Sequence, residues 1–342
     1  MSKILSIIIP TYNMEKYVGQ CLASMTSSEV PDTLEVIAVN DGSKDGSLAI
    51  LNSFREKRPD IVKVIDKPNG NYGSCINAAL PQCTGKYVRV VDADDWVETE
   101  QLVQYLEHLS EIDVDMSLTT FKTIDATGNA TDWSFVGNRT GIMTIEELFS
   151  EEPNLTLPMH RIVYRTQLLR DINYVQTEGI SYTDSEWAYK PILHVKTVDV
   201  SNYNVYRYRV GRIGQTMDPK VIIKSLTQEN ILMVSLMEYR QKVLSTLSNK
   251  LKEFADFVVC RKALLIYTQS LLTASDKDFN AEVVDTLENT LAKYSKELYD
   301  VMATYDARCF VVRYWRNSHK RYNAMIRKAA LFALDLYKTL KK

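Results

Sequence analysis

Short apolar runs broken by polar, glycine-containing stretches set the pattern of the first third of the chain. Lys3–Pro10, Leu34–Val39, Ile61–Ile65 and Tyr87–Val91 are each long enough for one strand. The near-continuous apolar character of IIIP, VIAV and YVRVV fits strands buried on both faces. Between them, Glu15–Met25 puts Tyr17, Val18, Cys21, Leu22 and Met25 on one helical face, and Ser47–Phe54 again has helical spacing. Asn69–Gly73 reads as a loop. Strand alternating with helix predicts a parallel α/β sheet, whose ligands sit beyond the carboxyl ends of the strands. Thr11-Tyr12-Asn13, Asn40-Asp41-Gly42-Ser43 and Asp92-Ala93-Asp94-Asp95 all fall at such ends. The pattern therefore directs three polar clusters into one crevice.

The pattern then becomes mixed, from about residue 113 to residue 212. The β-like runs MSLTTFKTI and NVYRYRV flank a helical Thr144–Phe149. After Pro219, helical stretches near 220–247, 250–273, 279–298 and 308–340 follow with almost no Gly or Pro. A boundary near residue 218 divides an α/β domain, 1–218, from a helical region, 219–342.

Asp92-Ala93-Asp94-Asp95 crowds three carboxylates into four residues. They repel one another unless a cation is bound, and hard oxygen ligands suit Mg²⁺ or Mn²⁺. A solvated turn capping a helix before Trp96 is the competing structural reading. Asp41 before Gly42 is a common turn former, or a carboxylate that accepts a base N–H. Tyr12 offers a flat ring, for stacking on a base or for packing.

In order and spacing, Ser6–Asn13, Val39–Ser43 and Val91–Trp96 together resemble the family-2 glycosyltransferases of the A-type, Rossmann-like nucleotide-diphospho-sugar transferase fold. The resemblance spans about residues 4–110 and loosens toward 216. It implies an inverting transfer from a UDP-sugar to a hydroxyl acceptor in the synthesis of a cell-surface polysaccharide or glycoconjugate, with a saccharide or lipid-linked saccharide as acceptor. It also implies roles. Tyr12 would stack on uracil, with Pro10 and Thr11 at the pocket edge, and Asp41 would accept the uracil N3–H. Asp92 would contact the ribose or the metal shell, and Asp94 would bind the divalent cation, Mn²⁺ or Mg²⁺. Asn69 and Asn77 lie where the family has an Asn/Gly-rich loop and following helix beside the nucleotide, although Cys75-Ile76-Asn77 replaces the usual Ala-Arg-Asn. The catalytic base falls on Asp184, with Thr183 in place of the family's Glu and Glu186 as the fallback. An N-cap reading competes at Asp184. Tyr206–Thr216 resembles the family's closing loop, in which Arg209 and Arg212 would meet the diphosphate. His160 lies where acceptor contacts are expected, or is structural.

Bulk properties narrow the classes. A net charge of −2 over 342 residues argues against nucleic acid as a partner. Five cysteines without a CxxC pair argue against a disulfide framework or zinc knuckle and fit the cytoplasm. The exception is residues 308–342, with ten basic residues against the single acid Asp335 and apolar positions at helical spacing. Such a segment suits the anionic inner face of the cell membrane, or it packs on the domain or on a second subunit of a homo-oligomer. Two rivals differ in class. A sugar nucleotidyltransferase would carry a Gly-rich basic loop where Pro10-Thr11-Tyr12-Asn13 stands. A non-catalytic binding subunit partnering an active transferase would bind UDP without releasing sugar.

Overall fold

The computed structural model describes residues 2–133, 139–211, 223, 225–275, 277–318 and positions 325, 328, 331 and 332. The chain divides into two compact units, Met1–Ile213 and Gly214–Lys342. The boundary expected near residue 218, Arg212, and most of the segment after residue 318 lie outside the described residues.

The first unit begins with the expected alternation: β1 (Leu5–Thr11), α1 (Val18–Thr26), β2 (Leu34–Asp41), α2 (Ser47–Lys57), β3 (Val62–Lys67), α3 (Asn71–Ala79) and β4 (Tyr87–Val90). β1 runs parallel to β2 and β4, and β2 parallel to β3. Three of the four apolar runs are buried as expected: every residue of β1, β2 and β4 is in the interior, whereas edge strand β3 is only partly covered. The helix expected over residues 15–25 starts at Val18 and turns Val18, Cys21, Leu22 and Met25 inward.

Beyond β4 the sheet is mixed, not purely parallel. β5 (Trp96–Val97) leads into α4 (Thr99–Glu111). There follow β6 (Met116–Ile124), β7 (Ala130–Trp133), β8 (Gly141–Thr144), α5 (Ile145–Glu151), β9 (Ile162–Arg165), α6 (Thr166–Asp171), α7 (Asp184–Trp187) and β10 (Thr197–Arg209). The strand order is β3-β2-β1-β4-β9-β6-β10-β5, with β7 on β6 and β8 on β10. β9 is antiparallel to both β4 and β6. The helix read at Thr144–Phe149 is α5, closed by a capping box between Thr144 and Glu147. β10 breaks register with β6 between Val200 and Tyr206. Beyond the shift, Tyr206 and Arg207 pair antiparallel with Val97 and Trp96 of β5.

Glu35 interrupts the apolar face of β2 with a buried carboxylate. It accepts from Ser6 Oγ (2.7 Å), Thr84 N (2.8 Å), Thr84 Oγ1 (2.9 Å) and Lys63 Nζ (2.6 Å). One side chain thereby ties β1, β3 and the turn before β4 to β2. Burial works against its charge, but these bonds prevail and hold the carboxyl below the usual range.

The second unit is helical: Leu226–Val243, Asn249–Thr268, Ala281–Tyr294, Lys296–Val301 and Phe310–Asn317 among the described residues. Ser248, Asn280 and Ser295 cap three of these helices. A buried Lys262–Glu229 ion pair (2.7 Å) and a hydrogen bond from Asn230 Nδ2 to Val283 O (2.8 Å) cross between them. The five cysteines are free and buried. No helix among the described residues is long and apolar enough to cross a membrane.

Candidate active site

The sheet brings the three polar clusters to the same end. Thr11 pairs with Asn40, and the β1–β4 pairing ends at Ile8 and Val90. Val91 N–H then donates to Ile8 O (3.0 Å), so the chain enters the acidic turn straight from the sheet. Pro10 and Thr11 are buried, whereas the ring of Tyr12 is 46% exposed. Its surface is open for a base to lie on.

Asp41 ends β2. Its Oδ1 accepts from Lys67 Nζ (2.6 Å) and Gly70 N (2.9 Å), and its Oδ2 from Asn69 Nδ2 (3.0 Å). Asn69 Nδ2 also donates to Asp41 O (2.9 Å). Asn69 thus braces Asp41. The approach depends on Gly42, whose φ is +70° and where a Cβ would lie 2.9 Å from Asn69 N.

The Asp92–Asp95 turn is closed by Asp95 N–H on Asp92 O (3.0 Å) and is braced from outside. Tyr72 OH donates to Asp92 Oδ1 (3.0 Å), and Asp92 N–H donates to Tyr206 OH (3.2 Å). Tyr206 OH donates to Asp95 Oδ2 (2.6 Å), while Arg209 N–H donates to Asp95 Oδ1 (2.8 Å). Arg209 Nε donates to Asp94 O (2.9 Å) and its Nη2 to Gln20 Oε1 (2.6 Å). The guanidinium lies over Trp96 (4.7 Å) and Tyr17 (5.2 Å). Arg209 is therefore at the acidic turn, with its backbone and side chain both engaged there. Arg207 lies on the same strand two residues earlier and pairs with Glu98 (3.1 Å).

The acidity of this corner is visible in its neighbours. Burial, then Asp92 and Asp94, holds the Asp95 carboxyl well above the usual carboxylate range. Burial, then Asp95 and Asp92, raises the Tyr206 and Tyr208 phenols, and burial, then Asp95, Asp94 and Asp92, raises the Cys21 thiol. Asp184 adds to the field at Tyr208, and together with Asp92 at Tyr72. Asp184 is therefore close enough to act electrostatically on two of the tyrosines beside the acidic turn. Asp184 opens α7, but no side-chain bond caps that helix. Just before it, Tyr182 has φ +66°, a conformation that bulky residues rarely adopt. Glu186 is fully buried and pairs with Lys190 (2.6 Å), which makes it part of the support.

His160 was not grouped with the acids in the sequence. Its ring, Asp92 and Asp95 can each offer one ligand atom within 4.8 Å of one another. Its ring stacks on Tyr208 (4.4 Å) and meets Tyr206 edge-on (4.8 Å). Burial, then the charges of Arg89 and Arg161, pushes its pKa down to about 3, so the imidazole stays neutral. Arg89 is wholly buried beneath it and donates Nη2 to His160 O (2.8 Å). Two carboxylates and a neutral imidazole are a donor set that fits Mn²⁺ better than Mg²⁺. Arg89 carries no sequence signal as a site residue, because a strand position reads as core; Tyr72 and Tyr206 lie in segments that the resemblance covers, but their hydroxyl bonds to the acidic turn are not legible from it.

Residues 6–172 match the family model described as "Glycosyl transferase family 2". The match runs from β1 to just past α6. Poly(ribitol-phosphate) beta-N-acetylglucosaminyltransferase TarS of Staphylococcus aureus is 30% identical over 223 residues, which cover 62% of this chain and 36% of that protein. Poly(ribitol-phosphate) beta-glucosyltransferase of Bacillus spizizenii is 28% identical over 225 residues, covering 62% and 33%. The matched stretch is about a third of the length of these relatives. The crystal structure of S. aureus TarS 1–349 in complex with UDP-GlcNAc has the same fold, with a TM-score of 0.68 and 22% identity over 93% of this chain and 89% of that one. The first unit is accordingly an A-type glycosyltransferase fold.

Proposed function

We propose that this chain transfers a sugar, with inversion, from a UDP-sugar to a hydroxyl of a polyol or saccharide acceptor in a cell-surface polymer. The observation that carries the reading is the meeting of the Tyr12–Asp41 pocket, the Asp92–Asp95 turn and Asp184 at one end of the sheet. Tyr12 stacks on uracil and Asp41 accepts its N3–H through Oδ2, the less engaged oxygen. Asp184 takes the proton of the acceptor hydroxyl as that oxygen attacks the anomeric carbon from the face opposite the diphosphate. Asp92 and Asp94, with Asp95 and His160 at hand, would hold a divalent cation, which would supply positive charge against the departing UDP. Arg209 supports Asp94, and Arg212 lies in the segment expected to close over the diphosphate. UDP-sugars of the glucose type are α-linked, so inversion gives β products, in keeping with the "beta-" in the names of both relatives.

Those names also direct the choice of donor. Wild type should release UDP from UDP-GlcNAc or UDP-glucose with Mn²⁺, and Asp184→Asn should bind UDP yet release none. Full turnover by Asp184→Asn would remove the base assignment. Binding without turnover by wild type would favour the non-catalytic binding subunit.

The basic residues of 308–342 support a peripheral site on the inner face of the membrane. The side chains of Met325 and Phe332 are 77% and 73% exposed, and apolar area beside positive charge is what anionic lipid retains. Full-length protein should pellet with anionic vesicles while residues 1–307 stay in solution. Equal pelleting would remove the membrane reading.

A further inference from the structure

Asn77 stands where the glycosyltransferase resemblance expects a nucleotide contact, but its amide turns elsewhere. Its Nδ2 donates to Gln176 O (2.9 Å) and to Glu178 Oε1 (2.8 Å), and its Oδ1 accepts Gln176 N–H (2.9 Å). A single side chain on α3 thus satisfies both backbone groups of Gln176, as a neighbouring strand would.

The adjoining residues are held in the same way. A Cβ at Gly73, one turn earlier on α3, would lie 2.1 Å from Thr177 O. The missing side chain is what lets the segment lie against the helix. Gly179 N–H donates to Gly70 O (2.9 Å) at the start of α3. On its other side, Thr177 donates N–H (2.6 Å) and Oγ1–H (2.8 Å) to the buried carboxylate of Glu186. Glu186 is in α7, two residues after Asp184. The route from Asn77 to Asp184 therefore consists of hydrogen bonds through one short segment, residues 176–179, and one carboxylate.

We infer that Asn77 is a positioning residue for Asp184: it fixes segment 176–179, on which Glu186 anchors the helix that presents the base. The inference rests on the glycosyltransferase reading for its effect on turnover, but not for its effect on the segment. Tyr182 at φ +66° is consistent with a chain forced to its course by contacts on either side.

The test uses the full chain, UDP-GlcNAc as probe and two readouts. Asn77→Ala should lower kcat for Mn²⁺-dependent UDP-GlcNAc hydrolysis by about tenfold to a hundredfold and leave KM and UDP affinity unchanged. Amide exchange over residues 174–187 should speed up in the same variant, with the β1–β4 amides unaffected. Asn77→Asp keeps the acceptor for Gln176 N–H but faces Glu178 with like charge, so it should be slower still. Adding Glu178→Gln reverses the direction of that bond and should restore part of kcat, which a merely destabilised fold would not do. Unchanged kcat in Asn77→Ala, or a rise in KM with constant kcat, overturns the inference. If wild type turns over neither UDP-GlcNAc nor UDP-glucose, the functional reading fails instead. Unchanged exchange over 174–187 would then still overturn the positioning role.

Discussion

Tyr206, near the end of β10, donates its hydroxyl to Asp95 Oδ2 at 2.6 Å and accepts the backbone N–H of Asp92 at 3.2 Å. The last strand of the sheet thereby sets the shape of the acidic turn that leaves β4. Tyr206→Phe leaves a buried carboxyl without one donor and Asp92 N–H without its acceptor, at a cost on the order of 1.5–3 kcal/mol. The expected result is a lower unfolding midpoint and weaker Mn²⁺ affinity. Urea unfolding and a metal titration of the folded variant measure the two separately.

Tyr12 is half exposed, and its proposed role calls on it only when a base is bound. Tyr12→Ala should leave stability within about 0.5 kcal/mol of wild type while weakening UDP binding by about 1–3 kcal/mol, the range of base–aromatic stacking. Tyr12→Phe keeps the ring and should bind UDP as wild type does. Calorimetry on the three proteins decides this, and equal affinities would place the base elsewhere.

Glu35 links folding to pH. Its folded pKa lies below the unfolded value of about 4.3. The stability it contributes is therefore fully present above that pH and is lost as pH falls through the folded pKa. Stability measured by urea at stepped pH should drop in acid, and Glu35→Gln should reduce that drop. At pH 7 the substitution should cost on the order of 1.5–3 kcal/mol through its charged hydrogen bonds.

Gly73→Ala pushes a methyl group into Thr177 O. The obstacle is backbone, so segment 176–179 must move, with a strain of about 1–3 kcal/mol. The predicted phenotype is loss of UDP-sugar turnover with UDP binding retained. A variant that turns over at the wild-type rate would show that this close approach does not matter to the base.

The strands β1, β2 and β4 were legible because their apolar runs are buried on both faces, leaving no alternative period. That Thr11, Asp41 and Asp92 lie at one end of the sheet was legible because β1, β2 and β4 run parallel. The antiparallel insertion of β9 between β4 and β6 was not, since four residues, IVYR, carry no directional signal. Nor was the company kept by His160, which sits just before β9, about 65 residues beyond the acids it meets. Asn77 pointed the other way: the motif suggested a nucleotide contact, and the hydrogen bonds lead to the segment before Asp184.

The central claim is a metal-assisted UDP site at the acidic turn. Titration of UDP by calorimetry, with and without Mn²⁺, on wild type and Asp94→Ala tests it most directly. The account predicts UDP binding that is strengthened by Mn²⁺ in wild type and loses that metal dependence in Asp94→Ala. No UDP binding by wild type under either condition would contradict it.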